Sequence, residues 1–72
     1  MEEYLNFSGT SGITHFGIGD TYIKIKFSDR ARVYTYSYLK AGKVHVEAMK
    51  ELARTGIGLN TYLNKHIREL FD

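Results

Sequence analysis

The chain has 72 residues, a length that supports one small domain with a single core and excludes a second independent domain. It contains no cysteine, which excludes disulfides and thiolate metal ligands, and no apolar run approaches the roughly 20 residues of a membrane-spanning helix. Because the formal net charge is only +2 and the first residues are acidic, the composition indicates neither a general polyanion binder nor a secretory signal peptide, and we expect a cytoplasmic protein.

The positive charge is concentrated in the middle of the chain. Residues 21–45 carry six Lys or Arg residues against one Asp, whereas residues 1–20 have a net charge of −3 and residues 46–72 are neutral overall. A surface that attracts a polyanion is therefore expected on the central strands. The competing interpretation is that such a basic region is an ordinary solvated surface.

The first twelve residues predict no regular element. Tyr4, Leu5 and Phe7 are followed by a Ser-Gly-Thr-Ser-Gly run with little side-chain bulk, which is typical of a flexible N-terminal arm over residues 1–12. We therefore expect one small folded domain over residues 13–72.

A β-hairpin is predicted over residues 13–27. Two stretches in which β-branched or aromatic residues alternate with other residues flank a Gly-Asp pair, which is a two-residue hairpin signal. If Ile18 pairs with Thr21, then Phe16 lies opposite Ile23 on one face of the hairpin. The same pleat places the two lysines of the second strand on the other face.

A third strand is predicted over residues 32–38, where every second residue is a tyrosine. A preceding turn of even length sets Tyr34 opposite Ile25. It also sets Tyr36 opposite Ile23, so the tyrosines then lie on the core side. A turn of odd length would instead set the tyrosines beside the lysines of the second strand. The length of this turn decides which surface the tyrosines form.

Two helices are predicted after the strands. The first follows Gly42 and ends at Gly56, because glycine adopts the left-handed conformation at low cost. The second begins at Asn60, a good N-cap, and runs to the end of the chain. Their apolar stripes comprise Val46, Met49, Leu52 and Ala53, and then Leu63, His66, Ile67, Leu70 and Phe71. The predicted fold class is α+β, a three-stranded antiparallel meander followed by two helices packed on one face (βββαα), the face of Phe16 and Ile23.

No residue set in the sequence specifies an enzyme. The glycines at Gly17 and Gly19 lead into a strand rather than a helix, so they do not predict a phosphate-binding loop. The histidines His15, His45 and His66 fall on separate predicted elements, which argues against a metal site. A chain of this size also leaves little room for a substrate pocket of several hundred cubic ångströms. We expect a non-enzymatic domain without a cofactor or a bound metal.

The basic and aromatic residues of the predicted sheet favour a binding surface for RNA or single-stranded nucleic acid. Aromatic faces stack on bases and cations follow phosphates, with about 1–3 kcal/mol for each stacked base. The candidate residues for nucleic-acid or partner binding are Tyr22, Lys24, Lys26, Arg32, Tyr34, Tyr36 and Arg68. The competing interpretation packs Tyr34 and Tyr36 under the helices. A second functional hypothesis is a protein-interaction or homo-oligomeric module, because so small a core often needs a partner.

Two stretches of the chain carry a resemblance to a known family. Residues 34–36 (Tyr-Thr-Tyr), then residues 62–68 (Tyr-Leu-Asn-Lys-His-Ile-Arg) and Phe71, resemble the KTSC domain, which is named from the C-terminus of some lysyl-tRNA synthetases and has a central Y-x-Y and a closing y-f-N-x-x-I-R-x-x-Y pattern. The chain resembles a divergent member, since it lacks the Val-Pro usual after Y-x-Y. The resemblance implies a compact β-hairpin-plus-helices domain, often a stand-alone bacterial or phage protein, for which RNA binding has been suggested.

Overall fold

A computed structural model describes residues 1–7, 9, 12–67 and 69–72. Within these residues an antiparallel sheet of four strands is followed by helices, which confirms the α+β class. The strands are β1 (Glu2–Glu3), β2 (Ile13–Ile18), β3 (Tyr22–Phe27) and β4 (Val33–Ser37), and the helices are α1 (Lys43–Thr55) and α2 (Leu59–Tyr62), the latter continued by a π-helical segment (Leu63–Ile67). The strands lie in the order β1-β2-β3-β4, so each one pairs with its neighbours in the chain.

The strand that the sequence did not predict is β1, which lies in the N-terminal region where we expected no regular element. Its residues Glu2–Glu3 pair with β2. Tyr4, which follows, is buried: its N–H donates to the carbonyl of Thr14 at 2.8 Å and its ring meets Phe16 edge-on. The prediction of three strands is therefore wrong by one, because a strand of two glutamates has no β pattern and is held in place by the burial of its neighbour. Three residues of the predicted arm lie outside the described residues: Ser8, Thr10 and Ser11.

The hairpin of β2 and β3 is confirmed, but its predicted register is wrong by two residues. Ile18 pairs with Ile23 rather than with Thr21, and the N–H of Gly19 donates to the carbonyl of Tyr22 at 3.0 Å. A Cβ atom on Gly19 would lie 2.2 Å from atoms of the Tyr22 ring, so a larger residue at this position would require the ring to move. A shift of two residues keeps the side chains of residues 15–18 and 22–26 on their predicted faces. Ile13 is the exception: it was predicted on the lysine face, but a register irregularity between Ile13 and His15 turns it into the core, where it is 2% exposed.

The register of β3 and β4 is the one that an even-length turn predicts. Ile23 lies opposite Tyr36, and Ile25 lies opposite Tyr34. The tyrosines therefore face the helices, and Tyr36 is only 1% exposed.

The core lies between this sheet face and the helices. Its buried apolar side chains belong to Tyr4, Ile13, Phe16, Ile23, Ile25, Tyr36, Ala41, Val46, Met49, Ala53, Leu59 and Leu63. Helix α1 ends at Gly56 as predicted, with φ 82° and an N–H bond to the carbonyl of Leu52. The predicted stripe of α1 needs one correction, since Lys50 is buried whereas Leu52 is half-buried.

The second helix begins earlier and ends sooner than the sequence predicts. Gly58 is its N-cap with φ 87°, so Asn60 lies inside α2 rather than at its start. Buried Leu59 is held by the core, and its N–H donates to the hydroxyl of Tyr4 at 3.4 Å. The described residues after the π-helical segment, 69–72, are not helical. No helix within the described ranges is long and apolar enough to cross a membrane.

Candidate nucleic-acid interface

The face of the sheet opposite the helices is called the open face here. The strand pairing puts on it the residues Glu3, His15, Gly17, Tyr22, Lys24, Lys26, Val33, Thr35 and Ser37. No described helix packs on this face, because the buried residues of β2, β3 and β4 all point to the opposite side. Of the predicted binding residues, Tyr22, Lys24 and Lys26 belong to the open face.

Tyr22 and Lys24 form a cation–π pair on the open face. The ammonium of Lys24 lies 5.6 Å from the centroid of the Tyr22 ring, and the ring itself lies against Gly19. Lys24 is exposed and forms no salt bridge with a residue that the structure describes. Its charge is therefore balanced only by solvent and by the ring, so it is available to an anionic ligand.

Lys26 has a structural role as well. Its ammonium donates to the carbonyl of Phe27 at 2.8 Å and to the carbonyl of Arg30, so it closes the turn between β3 and β4. Two of its three N–H donors are used in this way. Lys26 is thus held at the edge of the open face and contributes positive charge there, with little freedom to follow a ligand.

Three other predicted binding residues, Arg32, Tyr34 and Tyr36, lie on the helix side of the sheet. The guanidinium of Arg32 lies 5.0 Å from the Tyr34 ring and 5.1 Å from the Phe71 ring, and it donates to the carbonyl of Asp72 at 3.2 Å. Tyr36 is buried in the core, so its ring cannot stack on a base at the open face. One further candidate, Arg68, lies outside the described residues.

An aromatic cavity of about 200 Å³ opens beside Arg32 on the helix side. It is lined by Phe27, Arg30, Tyr34, Tyr36, Glu69 and Phe71. Tyr34 meets Phe27 and Phe71 edge-on, with ring centroids 5.7 and 4.7 Å apart. The sequence does not predict this site, because Phe71 and Glu69 are distant in sequence from β4 and only the path of residues 69–72 brings them to it.

A network of Tyr38, Glu47 and Lys50 joins the end of β4 to α1. Lys50 is only 5% exposed; its ammonium lies 2.8 Å from the Glu47 carboxylate and donates to the carbonyl of Asp20 at 3.3 Å. The Tyr38 hydroxyl donates to the same carboxylate at 2.5 Å. Hydrogen bonds from Lys50 and Tyr38 lower the pKa of Glu47, and the bond to Glu47 raises the pKa of Lys50 and that of Tyr38.

This network is structural in character. It ties the turn between β2 and β3, through Asp20, to α1 and to the end of β4. Helices α1 and α2 are joined separately, by the 2.8 Å hydrogen bond between His45 Nδ1 and the Tyr62 hydroxyl. No cluster of three or more His, Asp or Glu side chains suited to a metal ion occurs in the part of the chain that the structure describes.

An exposed apolar patch lies at the end of the molecule formed by the N-terminal segment and the loop after α1. It consists of Leu5, Phe7 and Ile57, of which Phe7 is 68% exposed. The segment is fixed there because the N–H of Phe7 donates to the carbonyl of Gly56 at 2.8 Å. A Cβ atom on Gly56 would lie 2.8 Å from the Leu5 Cβ, so glycine permits this close approach.

Comparisons of the chain with protein-family models, with curated proteins and with solved structures found no match. The resemblance of residues 34–36 and 62–68 to the KTSC domain therefore stays a prediction.

Proposed function

We propose that this domain binds RNA or another single-stranded nucleic acid on the open face of its sheet. The observation that carries the proposal is the pair of Tyr22 and Lys24, an aromatic ring and an exposed cation without a described carboxylate partner, side by side on a face that no described helix covers. Proteins that hold single strands without strong sequence preference combine these two features, a stacking platform and a cation beside the backbone.

The surroundings of this pair support the proposal. Lys26 adds a second positive charge on the same face of β3, and residues 21–45 as a whole carry a net charge of +5. Beyond the end of β3, exposed Arg30 and Arg32 extend the positive charge past the turn. A phosphate chain crossing β3 toward this turn would therefore meet successive cations, which is the electrostatic contribution that nucleic-acid binding requires. The resemblance to the KTSC domain favours the same class of ligand.

An amide-shift NMR titration of the full chain with an eight-nucleotide oligouridine, at about 50 mM and then about 200 mM salt, tests this function. We expect saturable shifts on β3, centred on Tyr22 and Lys24, that weaken strongly at the higher salt because phosphate binding releases counterions. Unchanged spectra at both salt concentrations, or shifts confined to residues away from β3, would contradict the proposal.

A second candidate function is self-association through the exposed apolar patch. Leu5 and Phe7 lie against Gly56, which precedes exposed Ile57 in the chain, so a second copy of the chain can cover apolar surface here. A core of this size also gains stability when a partner binds the folded state.

Sedimentation of Phe7→Ser, with Leu39→Ser as the matched control, tests the second function. Leu39 is 98% exposed and lies away from the patch, in the connection between β4 and α1. If the patch joins two copies, Phe7→Ser shifts the wild-type dimer to monomer and Leu39→Ser leaves it unchanged. A wild type that is monomeric at high concentration contradicts self-association.

A further inference from the structure

The aromatic cavity on the helix side of β4 has walls suited to a flat ring. Tyr34 and Phe71 form one corner with their rings 87° apart, and Phe27 continues the wall at 77° to Tyr34. Tyr36 forms the buried floor. The volume of about 200 Å³ is below the several hundred cubic ångströms of a pocket for a larger organic ligand, and it suits a single planar base.

Two opposite charges line this cavity without pairing with each other. Glu69 forms no hydrogen bond or salt bridge with any residue that the structure describes, and it does not reach Arg30. Arg30 makes one side-chain hydrogen bond, from Nη1 to the Tyr34 hydroxyl at 3.0 Å, so its Nε and Nη2 donors remain for a ligand. The cavity thus offers a free anionic acceptor, free cationic donors and aromatic walls.

Guanine is the base whose edges fit this arrangement. Its Watson–Crick edge has two adjacent donors, N1–H and N2–H₂, that a carboxylate accepts, and O6 and N7 are acceptors that arginine binds. Adenine and cytosine offer a carboxylate only one amino group, and uracil only one imide. A carboxylate at the mouth also disfavours phosphate inside the cavity, so Glu69 and Arg30 read a base rather than the backbone.

Arg32 completes the site from outside. Its guanidinium packs on the rings of Tyr34 and Phe71 beside the cavity, and its Nη2 donates a hydrogen bond to the main-chain oxygen of Asp72 at 3.2 Å. An arginine stacked in this way is held in place while its other donors stay available for a phosphate. We infer that this cavity binds one unpaired guanine of a single strand, with Glu69 and Arg30 on the base and Arg32 on its phosphate. The inference rests on the proposed function, since it supplies that function with a base preference.

The test is an NMR titration of the full chain with GMP, AMP, CMP and UMP in turn. We expect GMP to shift the amides of Tyr34 and Phe71 and to bind at least tenfold more tightly than the other three. Glu69→Gln should weaken GMP binding at least tenfold and remove the preference over AMP, because the amide is uncharged and replaces one acceptor oxygen by an NH₂ group that would face a guanine donor.

Glu51→Gln is the matched control. Glu51 is an exposed carboxylate on α1, 3.4 Å from Arg54 and distant from the cavity, so this variant should bind GMP as the wild type does. Both variants should melt at the wild-type temperature, since neither carboxylate contributes to the core. A second arm compares oligouridine with the same strand carrying one central guanosine.

The mononucleotide and oligonucleotide titrations distinguish failure of the guanine site from failure of the proposed function. Equal binding of both strands, with no effect of Glu69→Gln, overturns the guanine site and leaves open-face binding intact. Binding of GMP without binding of either strand overturns the proposed function and retains the cavity as a guanine mononucleotide site. Absence of binding by GMP and by both strands overturns both.

Discussion

On β3, Ile23 and Ile25 are 0% exposed on the helix side, whereas Lys24 between them is exposed on the open face. A single strand therefore contributes to the core and to the proposed binding surface through alternate residues. The helix-side residues of this strand are packed in the core, and its open face keeps a cation that no described carboxylate balances. Stability and binding should therefore respond to different substitutions on the same strand, and this separation can be tested.

The largest expected effect comes from neighbouring substitutions on β3. Ile23→Ala removes buried methyl groups and leaves a cavity, so we expect a loss of about 2–5 kcal/mol, which is comparable with the whole stability of so small a domain. Lys24→Ala should change the free energy of unfolding by less than about 0.5 kcal/mol, because it is a surface substitution outside the core. Urea denaturation followed by circular dichroism measures both. Similar losses for the two variants would contradict the separation of the faces.

A smaller effect should follow from glycine substitution beside the N-terminal segment. Gly56 and Gly58 both have positive φ, 82° and 87°, so alanine strains the backbone at either position by about 1 kcal/mol. At Gly56 the new Cβ would also meet the Leu5 Cβ at 2.8 Å, whereas at Gly58 it would lie 3.6 Å from the Leu52 Cδ2. We therefore expect Gly56→Ala to melt at a clearly lower temperature than Gly58→Ala. Equal melting temperatures would show that the N-terminal segment is not packed on α1.

A pH-dependent effect is expected from the network at Glu47. Hydrogen bonds from Lys50 and Tyr38 hold its pKa below the usual value of 4.5. Since the folded state lowers this pKa, the carboxylate contributes stability that is present above the unfolded-state value and lost as the pH falls toward the folded-state pKa. Glu47→Gln should therefore flatten the fall in urea midpoint between about pH 5 and pH 3.

Glu51→Gln serves as the control for that measurement. Its carboxylate forms only an exposed pair with Arg54, which contributes little to stability. We expect its acid profile to follow that of the wild type. An unchanged profile for Glu47→Gln would exclude the network as a source of acid sensitivity.

Alternation along the chain predicted the three central strands but left open which face the tyrosines occupy. The structure has the register of an even-length turn, with Tyr34 opposite Ile25 and Tyr36 opposite Ile23. The predicted register was wrong by two residues at the first hairpin, where a Gly-Asp signal indicated a short turn. There the contact between the Tyr22 ring and the backbone of Gly19 accompanies a longer turn, and sequence periodicity does not reveal such a contact.

The sequence pattern did not predict the elements that depend on contacts between residues far apart in the chain. Strand β1 is held by the burial of Tyr4 beside Phe16, and the early start of α2 by the bond from Leu59 to Tyr4. Lys50 is a polar residue in the helical pattern, yet its side chain is buried, because its ammonium forms a salt bridge with the Glu47 carboxylate. For the candidate site, residue type correctly identified Tyr22 and Lys24 as open-face residues, while the cavity that includes Glu69 required tertiary structure.

The central claim is that Lys24 contacts the phosphates of a single strand, and the salt dependence of affinity tests it most directly. The oligouridine affinity of wild type, Lys24→Gln and Lys65→Gln is measured from about 50 to 200 mM salt. Lys65 is an exposed lysine in the π-helical segment and provides the matched control. Loss of one phosphate contact should reduce the slope of log affinity against log salt by about 0.7 for Lys24→Gln and leave Lys65→Gln unchanged. Equal slopes for all three proteins would contradict the account.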